Sequence, residues 1–307
     1  MQRYIVKRLI LGFVTFFVTV TLVFLVMRGF TEADPTAIML PPDGTPEQQE
    51  MLKKKFGLDK PLAIQYLLFW KNLARGEFGD SFRYGRPAFE LVAERVPATL
   101  QLSITTFIII WTVAITIGVI SAVRRDSLFD RFGRQLTLLG LAVPSFVIAM
   151  FLILTFGVKW RLLPISGRGG IEHMILPVAS MALHGMASLI RLSRSSMIDA
   201  LKSEYIVMAH IKGVPNRWVI LVHAFKNACI PLITILGMVL PGLLFGAVII
   251  ETIFAWPGVG RLAVSALFAR DYPVTQVIVI FAAALIILSN LVVDILYAYV
   301  NPRIRYT

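Results

Sequence analysis

The sequence holds 307 residues with a mean hydropathy of +0.76, and only 16% of them are charged, against roughly a quarter in ordinary globular domains. That composition excludes a soluble globular chain, and a formal net charge of +12 in so apolar a protein reads as orientation across a bilayer rather than nucleic-acid binding. The single cysteine, Cys229, excludes an intrachain disulfide and a thiolate metal site, and no phosphate-binding glycine loop, zinc-protease spacing or nucleophile elbow occurs.

Six runs are long and apolar enough to span a hydrocarbon core of about 30 Å: about 9–30, 98–123, 135–157, 176–196, 229–252 and 275–299. The first follows "MQRYIVKR", whose charges are like those of a secretory leader. Its apolar part is too long for one and no small-residue cleavage site follows, so it reads as a retained anchor. The outer stretch 31–97 then contains two helical patterns. "TPEQQEMLKKKFG" has Thr45 as cap, Pro46 at the first helical position and Gln48 three residues after the cap, with Gly57 as a stop. "DKPLAIQYLLFWKNLARG" repeats the logic with Asp59 as cap, Pro61 in the first turn and Gly76 after the end. Its Leu62, Leu67, Trp70 and Leu73 either rest on the outer membrane surface or pack against other spans.

Further along, His184 and Arg191 fall inside the fourth run. His184 is open to substrate contact or to a helix-to-helix hydrogen bond. Arg191 and Arg194 read as anchors at the inner interface, within reach of the basic loop that follows. That loop, "EYIVMAHIKGVPNRWVILVHAFKNA" (204–228), reads as helix, sharp turn, helix: Gly213 suits the left-handed residue that closes a helix, and Pro215 the first turn of the next. Tyr205, Met208, Ala209 and Lys212 recur at helical spacing and share a face. On residues alone the loop is equally an interfacial amphipathic element on anionic lipid or a protein-docking element. In the fifth run, Pro241 can kink the helix, and Gly242 with Gly246 form a small-xxx-small pair, which suits a pore-lining helix or ordinary close packing. Glu251 ends that run before "TIFAWPGVGR", and Asp294 lies near the end of the sixth, within reach of Arg303 or Arg305. Both read as structural.

With both termini inside, the inner segments carry fifteen Lys and Arg against four acidic residues (Asp126, Asp130, Asp199, Glu204), while the outer connections after spans three and five carry five. The positive-inside rule therefore places both termini in the cytoplasm.

The loop also resembles the EAA loop of membrane subunits of ATP-binding-cassette importers, with Glu204, Ala209, Gly213, His223, Asn227 and Pro231 on motif positions. "FGLDKPLAIQY", "GEFGDSF", "RVPATLQLS", "VPSFV", "LPISG", "RLSRSSM", "ETIFAWPGVGR", "RDYP" and "DILYAYVNPRIRY" carry the likeness along the chain. Together they resemble the dipeptide/oligopeptide/nickel permease family, B-type subunit. Departures are Asn301 where "DPR" is usual and Pro215-Asn216 in place of a Ser-containing turn. The resemblance implies an all-α membrane protein of the type I importer permease fold, with six transmembrane helices. It implies an N-terminal part (1–95), a five-helix core (96–307) and a coupling loop at about 200–228. The loop, with Glu204, Tyr205, Met208, Ala209, Lys212, Gly213, Arg217, His223 and Asn227 as its site residues, would dock into a separate ATPase. His184, Pro241, Gly242, Gly246 and Glu251 become the candidate translocation set.

Implied partners are a second homologous permease subunit, ATPase subunits that bind the ATP, an extracytoplasmic solute-binding protein and the lipid bilayer of a bacterial or archaeal inner membrane. This chain itself is expected to hold no cofactor or metal, to catalyse nothing and to bind no nucleic acid. The alternative is a stand-alone ion-coupled transporter, which needs ionisable groups near the membrane midplane. An intramembrane enzyme lacks a paired nucleophile and base. Dipeptides, oligopeptides, glutathione, nickel chelates, opines and oligosaccharides all remain open as substrates.

Overall fold

In lipid each backbone N–H and C=O must be satisfied within its own segment, so apolar runs of this length become helices. The computed structural model describes residues 2–29, 36 and 45–300. In chain order the helices are α1 (Gln2–Gly29), α2 (Pro46–Lys55), α3 (Leu62–Ala74), α4 (Ala88–Ala93), α5 (Val96–Val123), α6 (Leu128–Ala142), α7 (Ser145–Leu152, continued as a wide π turn over Ile153–Lys159), α8 (Glu172–Leu201), α9 (Glu204–Ile211), α10 (Asn216–Trp218), α11 (Phe225–Ile253), α12 (Val259–Phe268) and α13 (Tyr272–Val300). Among the described residues the only β pairing is an isolated bridge, Asp80 to Pro87.

Four stretches are long and apolar enough to cross a membrane: Val6–Arg28, Ala88–Val123, Glu172–Leu201 and Tyr272–Val293. The expected span at 135–157 is not a single rod. It is the pair α6 and α7, bent by 106°. The cause is local: proline disfavours the helical region for the residue before it, and Val143 is extended (φ −105°, ψ 120°) immediately ahead of Pro144. Counted as one span, the pair makes a fifth. The run at about 229–252 falls within the unbroken helix α11, but several of its side chains, Pro241 and Gly246 among them, lie outside the described residues. So does the side chain of Asp294, together with Arg303 and Arg305.

The core forms where α5, α8 and α11 meet, around Leu102, Ile110, Leu176, Leu189, Ile190, Leu232 and Ile250. Lipid offers no hydrophobic drive between spans, so close fit must supply the attraction. α6 obtains it at Gly140, where a Cβ would stand 2.5 Å from the Leu183 carbonyl of α8.

In the segment after α1, Thr45 and Gln48 form the expected reciprocal capping box. Asp59 does not cap α3: Pro61 takes the N-cap position and no side chain caps it. α3 divides the two roles foreseen for it. Trp70 stacks on Phe17 at 4.8 Å, Tyr66 shares a 2.9 Å hydrogen bond with Thr21, and Phe69 meets Phe24 at 5.2 Å. Leu67 on the other face is 68% exposed. The next loop is tied to the far end of the bundle by buried Asp271, which accepts from Ser81 Oγ and from the backbone N–H groups of Phe82 (3.1 Å) and Arg83 (3.3 Å).

Candidate functional site: the 202–227 loop and the cavities beside it

α8 ends at Leu201, and Lys202 and Ser203 turn the chain into α9. α9 closes as foreseen. Gly213 sits at φ +73°, its N–H donates to His210 O at 2.9 Å, and Val214 N–H donates to Ala209 O at 3.1 Å. These paired bonds are the Schellman closure, which satisfies carbonyls that a helix end otherwise leaves bare. Pro215 N-caps α10.

The second helix of the loop is not a separate short element. From Asn216 the chain passes through a π turn, Val219–Ala224, directly into α11. His223 lies in that wider turn, and Asn227 Nδ2 donates to its carbonyl at 3.1 Å. The loop beyond Pro215 and α11 are therefore one continuous stretch of helical backbone.

Packing fixes which face of the loop is free. Ile206 and Ala209 join Ala122 of α5, Met197 and Ala200 of α8, and Val219, Ala224 and Ala228 in one buried cluster. The small side chains let four segments meet at a single point. Ala209, expected on the free face, is 8% exposed because its Cβ is turned into this cluster. The other eight residues foreseen for the loop (Glu204, Tyr205, Met208, Lys212, Gly213, Arg217, His223 and Asn227) are exposed. Between them stands an apolar surface the sequence reading did not single out: Val207 (54%), Ile211 (73%), Trp218 (53%) and Leu221 (64%).

Arg194 does not touch this loop. Its Nε and Nη2 reach Asp130 Oδ1 and Oδ2 at 2.6 and 2.9 Å, and Arg134 Nη1 reaches Oδ2 at 3.0 Å. Asp130, fully buried, thus clamps α6 to α8.

The foreseen pathway residues separate into two groups. His184 and Gly242 line one cavity of about 360 Å³ together with Ser145, Ser188 and Leu141. Glu251 belongs elsewhere, with 0% exposure at the far end of α11. Its carboxylate accepts from Thr99 Oγ1 (2.6 Å) and Arg261 N (3.0 Å), so it caps the N-terminus of α12. A Cβ on Gly258 would fall 2.1 Å from Glu251 Oε1, which explains the glycine in "WPGVG". Trp256 Nε1 completes the knot by donating to Ala98 O at 2.9 Å.

Comparison with known proteins extends these observations over the whole chain. The family described as "Binding-protein-dependent transport system inner membrane component" matches residues 114–306, and "Binding-prot-dependent transport system membrane comp, N-term" matches 1–103. The dipeptide transport system permease protein DppB of Lactococcus lactis subsp. cremoris is 39% identical over 306 residues, 99% of this chain and 100% of the relative. The glutathione transport system permease protein GsiC of Escherichia coli (strain K12) is 37% identical over 308 residues, covering 100% of both. The oligopeptide transport system permease protein AppB of Bacillus subtilis (strain 168) is 36% identical over 317, again 100% of both. A stand-alone ion-coupled transporter is thereby set aside. This chain belongs to the family of inner membrane components of binding-protein-dependent transport systems, and is a multi-pass permease subunit of that family.

Proposed function

We propose that this chain forms half of the translocation pathway of an ATP-driven importer for peptides, the other half coming from a second homologous permease subunit. Substrate arrives from an extracytoplasmic binding protein, and ATP is bound by separate ATPase subunits that dock on the 202–227 loop. The loop and both termini face the cytoplasm, where the excess of Lys and Arg favours them. Residues 1–95 act as an N-terminal addition to the permease core of 96–307.

The observation that carries the docking role is the contrast between the two faces of one short helix. Ile206 and Ala209 are sealed against the ends of α5, α8 and α11, while Met208 and Ile211 are bare. An exposed apolar surface rimmed by Glu204, Lys212 and Arg217 has the form of a protein interface. Peptides are favoured as cargo because the names of all three relatives carry a peptide: dipeptide, oligopeptide and glutathione.

The test is purification from native membranes in mild detergent, followed by reconstitution into proteoliposomes. ATPase subunits are expected to co-purify and peptide uptake to require ATP. Uptake indifferent to ATP, with no ATPase in the purified material, rejects the reading.

A further inference from the structure

α8 is apolar enough to cross a membrane, yet its C-terminal half carries a polar face. His184, Ser188, Arg191, Ser195 and Asp199 follow one another at i, i+4, i+7, i+11 and i+15, and therefore lie in a single stripe. All five are exposed or half-buried, whereas Met186, Ile190, Ser193 and Met197 on the opposite side are buried. A guanidinium within a membrane-crossing helix is costly against lipid and is found facing a protein interior or water.

Two cavities lie along the stripe. The first, at His184 and Ser188, has about 360 Å³. The second, about 440 Å³, is lined by Arg191, Ser195, Asp199, Arg134 and Thr137. Leu141 lines both, so it forms the wall between them. The break at Val143–Pro144 follows two residues later. Interrupted helix at membrane depth is tolerated where it is buried in protein or borders a water-filled space, and this one ends at the joint of the two cavities.

Three arginines border the second cavity, but two are already committed. Arg134 and Arg194 both hold Asp130, at 3.0 Å and at 2.6 and 2.9 Å. Among the described residues no carboxylate pairs with Arg191. Asp199 stands eight residues further along the same stripe, about 12 Å at 1.5 Å per residue. An extended peptide of three residues spans about 10–11 Å, so its two charged ends match this separation.

We propose that the second cavity is a transit site for short zwitterionic peptides, in which Arg191 takes the carboxylate and Asp199 the ammonium group, with Leu141 as the neck above it. This rests on the importer reading given above.

The experiment uses the complete reconstituted transporter with Cys229→Ser, carrying Ser188→Cys, Ser195→Cys or, as a buried control, Ser193→Cys. A cationic, membrane-impermeant methanethiosulfonate is expected to modify positions 188 and 195 at least about tenfold faster than 193, and trialanine to slow the reaction at 195. Arg191→Gln is expected to abolish that protection and to lower trialanine uptake by about tenfold, the value of one lost charge-assisted hydrogen bond, while Arg191→Lys keeps most of both. Cysteines at 188 and 195 as inert as 193 would overturn the proposal, since the stripe would then face lipid or a dry subunit contact. Protection that survives Arg191→Gln, or that comes from phosphatidylglycerol in place of trialanine, would overturn it too. Uptake that does not depend on ATP in the unsubstituted protein fails the importer reading instead. ATP-driven uptake with an inert position 195 fails the transit site alone.

Discussion

The hydroxyl of Thr99 donates to a carboxylate oxygen of Glu251 at 2.6 Å, joining the start of α5 to the end of α11 inside the protein. The same hydroxyl accepts from Val259 N–H at 2.8 Å, so one oxygen connects the carboxylate to the first turn of α12. Glu251 ends α11 as a structural acceptor whose oxygens already have donors, and offers no free oxygen to a passing solute.

Replacing Thr99 with valine keeps the shape and removes the relay. The Val259 N–H and one Glu251 oxygen would both be left buried without partners, each costing about 1–3 kcal/mol. Thr99→Val is therefore expected to lower the thermal unfolding temperature in detergent clearly, and Thr99→Ser to leave it close to the parent. A valine variant that melts with the parent would show that the hydroxyl is dispensable.

Asp130 presents a different case, a buried carboxylate holding two guanidinium groups. Breaking a fully buried pair costs about 3–5 kcal/mol. Arg194 keeps 21% side-chain exposure, so water recovers part of that and Asp130→Asn is expected to fall below this range. Adding Arg194→Met to Asp130→Asn should restore part of the stability, because the less exposed of the two deprived charges is then gone, while Arg134, 44% exposed, keeps Asp126 at 3.6 Å. Thermal melts of the two single variants and the double variant decide it: strict additivity would contradict a direct pair.

Much of the local structure was legible because its determinants lie within four residues of each other. Thr45 and Gln48, the stops at Gly57 and Gly76, and the closure at Gly213 all depend on neighbours in sequence. The interior partners were not legible. Asp130 and Arg194 are 64 positions apart, and Thr99 and Glu251 are 152; a lone charge near a span end carries no mark of which distant hydroxyl or guanidinium it will meet. The bend at Val143–Pro144 had a signal in the proline, but an apolar run on both sides disguised it as one span. Ala209 went to the wrong face for a related reason. Spacing puts it beside Tyr205 and Met208, and only the small residues of three other helices decide that it turns inward.

At Gly213 the constraint is conformational and not one of space. A Cβ there would meet nothing within 4 Å, yet the backbone sits at φ +73°. The left-handed region costs other residues roughly 1–2 kcal/mol, with asparagine the most tolerant of them. Gly213→Asn is thus expected to retain most transport and Gly213→Ala less. Gly213→Val should insert normally but fail in uptake, because a β-branched residue opens the turn that sets the loop. Hydrogen exchange over residues 204–215 should rise in the same order. Normal uptake by Gly213→Val would remove the loop from the transport mechanism.

The two adjacent residues Met208 and Ala209 separate docking from folding most directly. Met208 is 53% exposed and Ala209 8%. Glutamate at 209 would place a charge in the alanine-lined cluster, so Ala209→Glu is expected to lower the melting temperature and lose transport together. Glutamate at 208 stays largely exposed in the isolated chain, with Glu204 one turn before it and Lys212 one turn after. Met208→Glu is therefore expected to melt within a degree or two of the parent, since exposed substitutions typically change stability by less than about 0.5 kcal/mol, yet to lose co-purification of the ATPase and peptide uptake. Melting curves, pull-down and uptake on the same two preparations give the answer. If Met208→Glu transports normally, the exposed face of α9 is not the surface on which the ATPase docks.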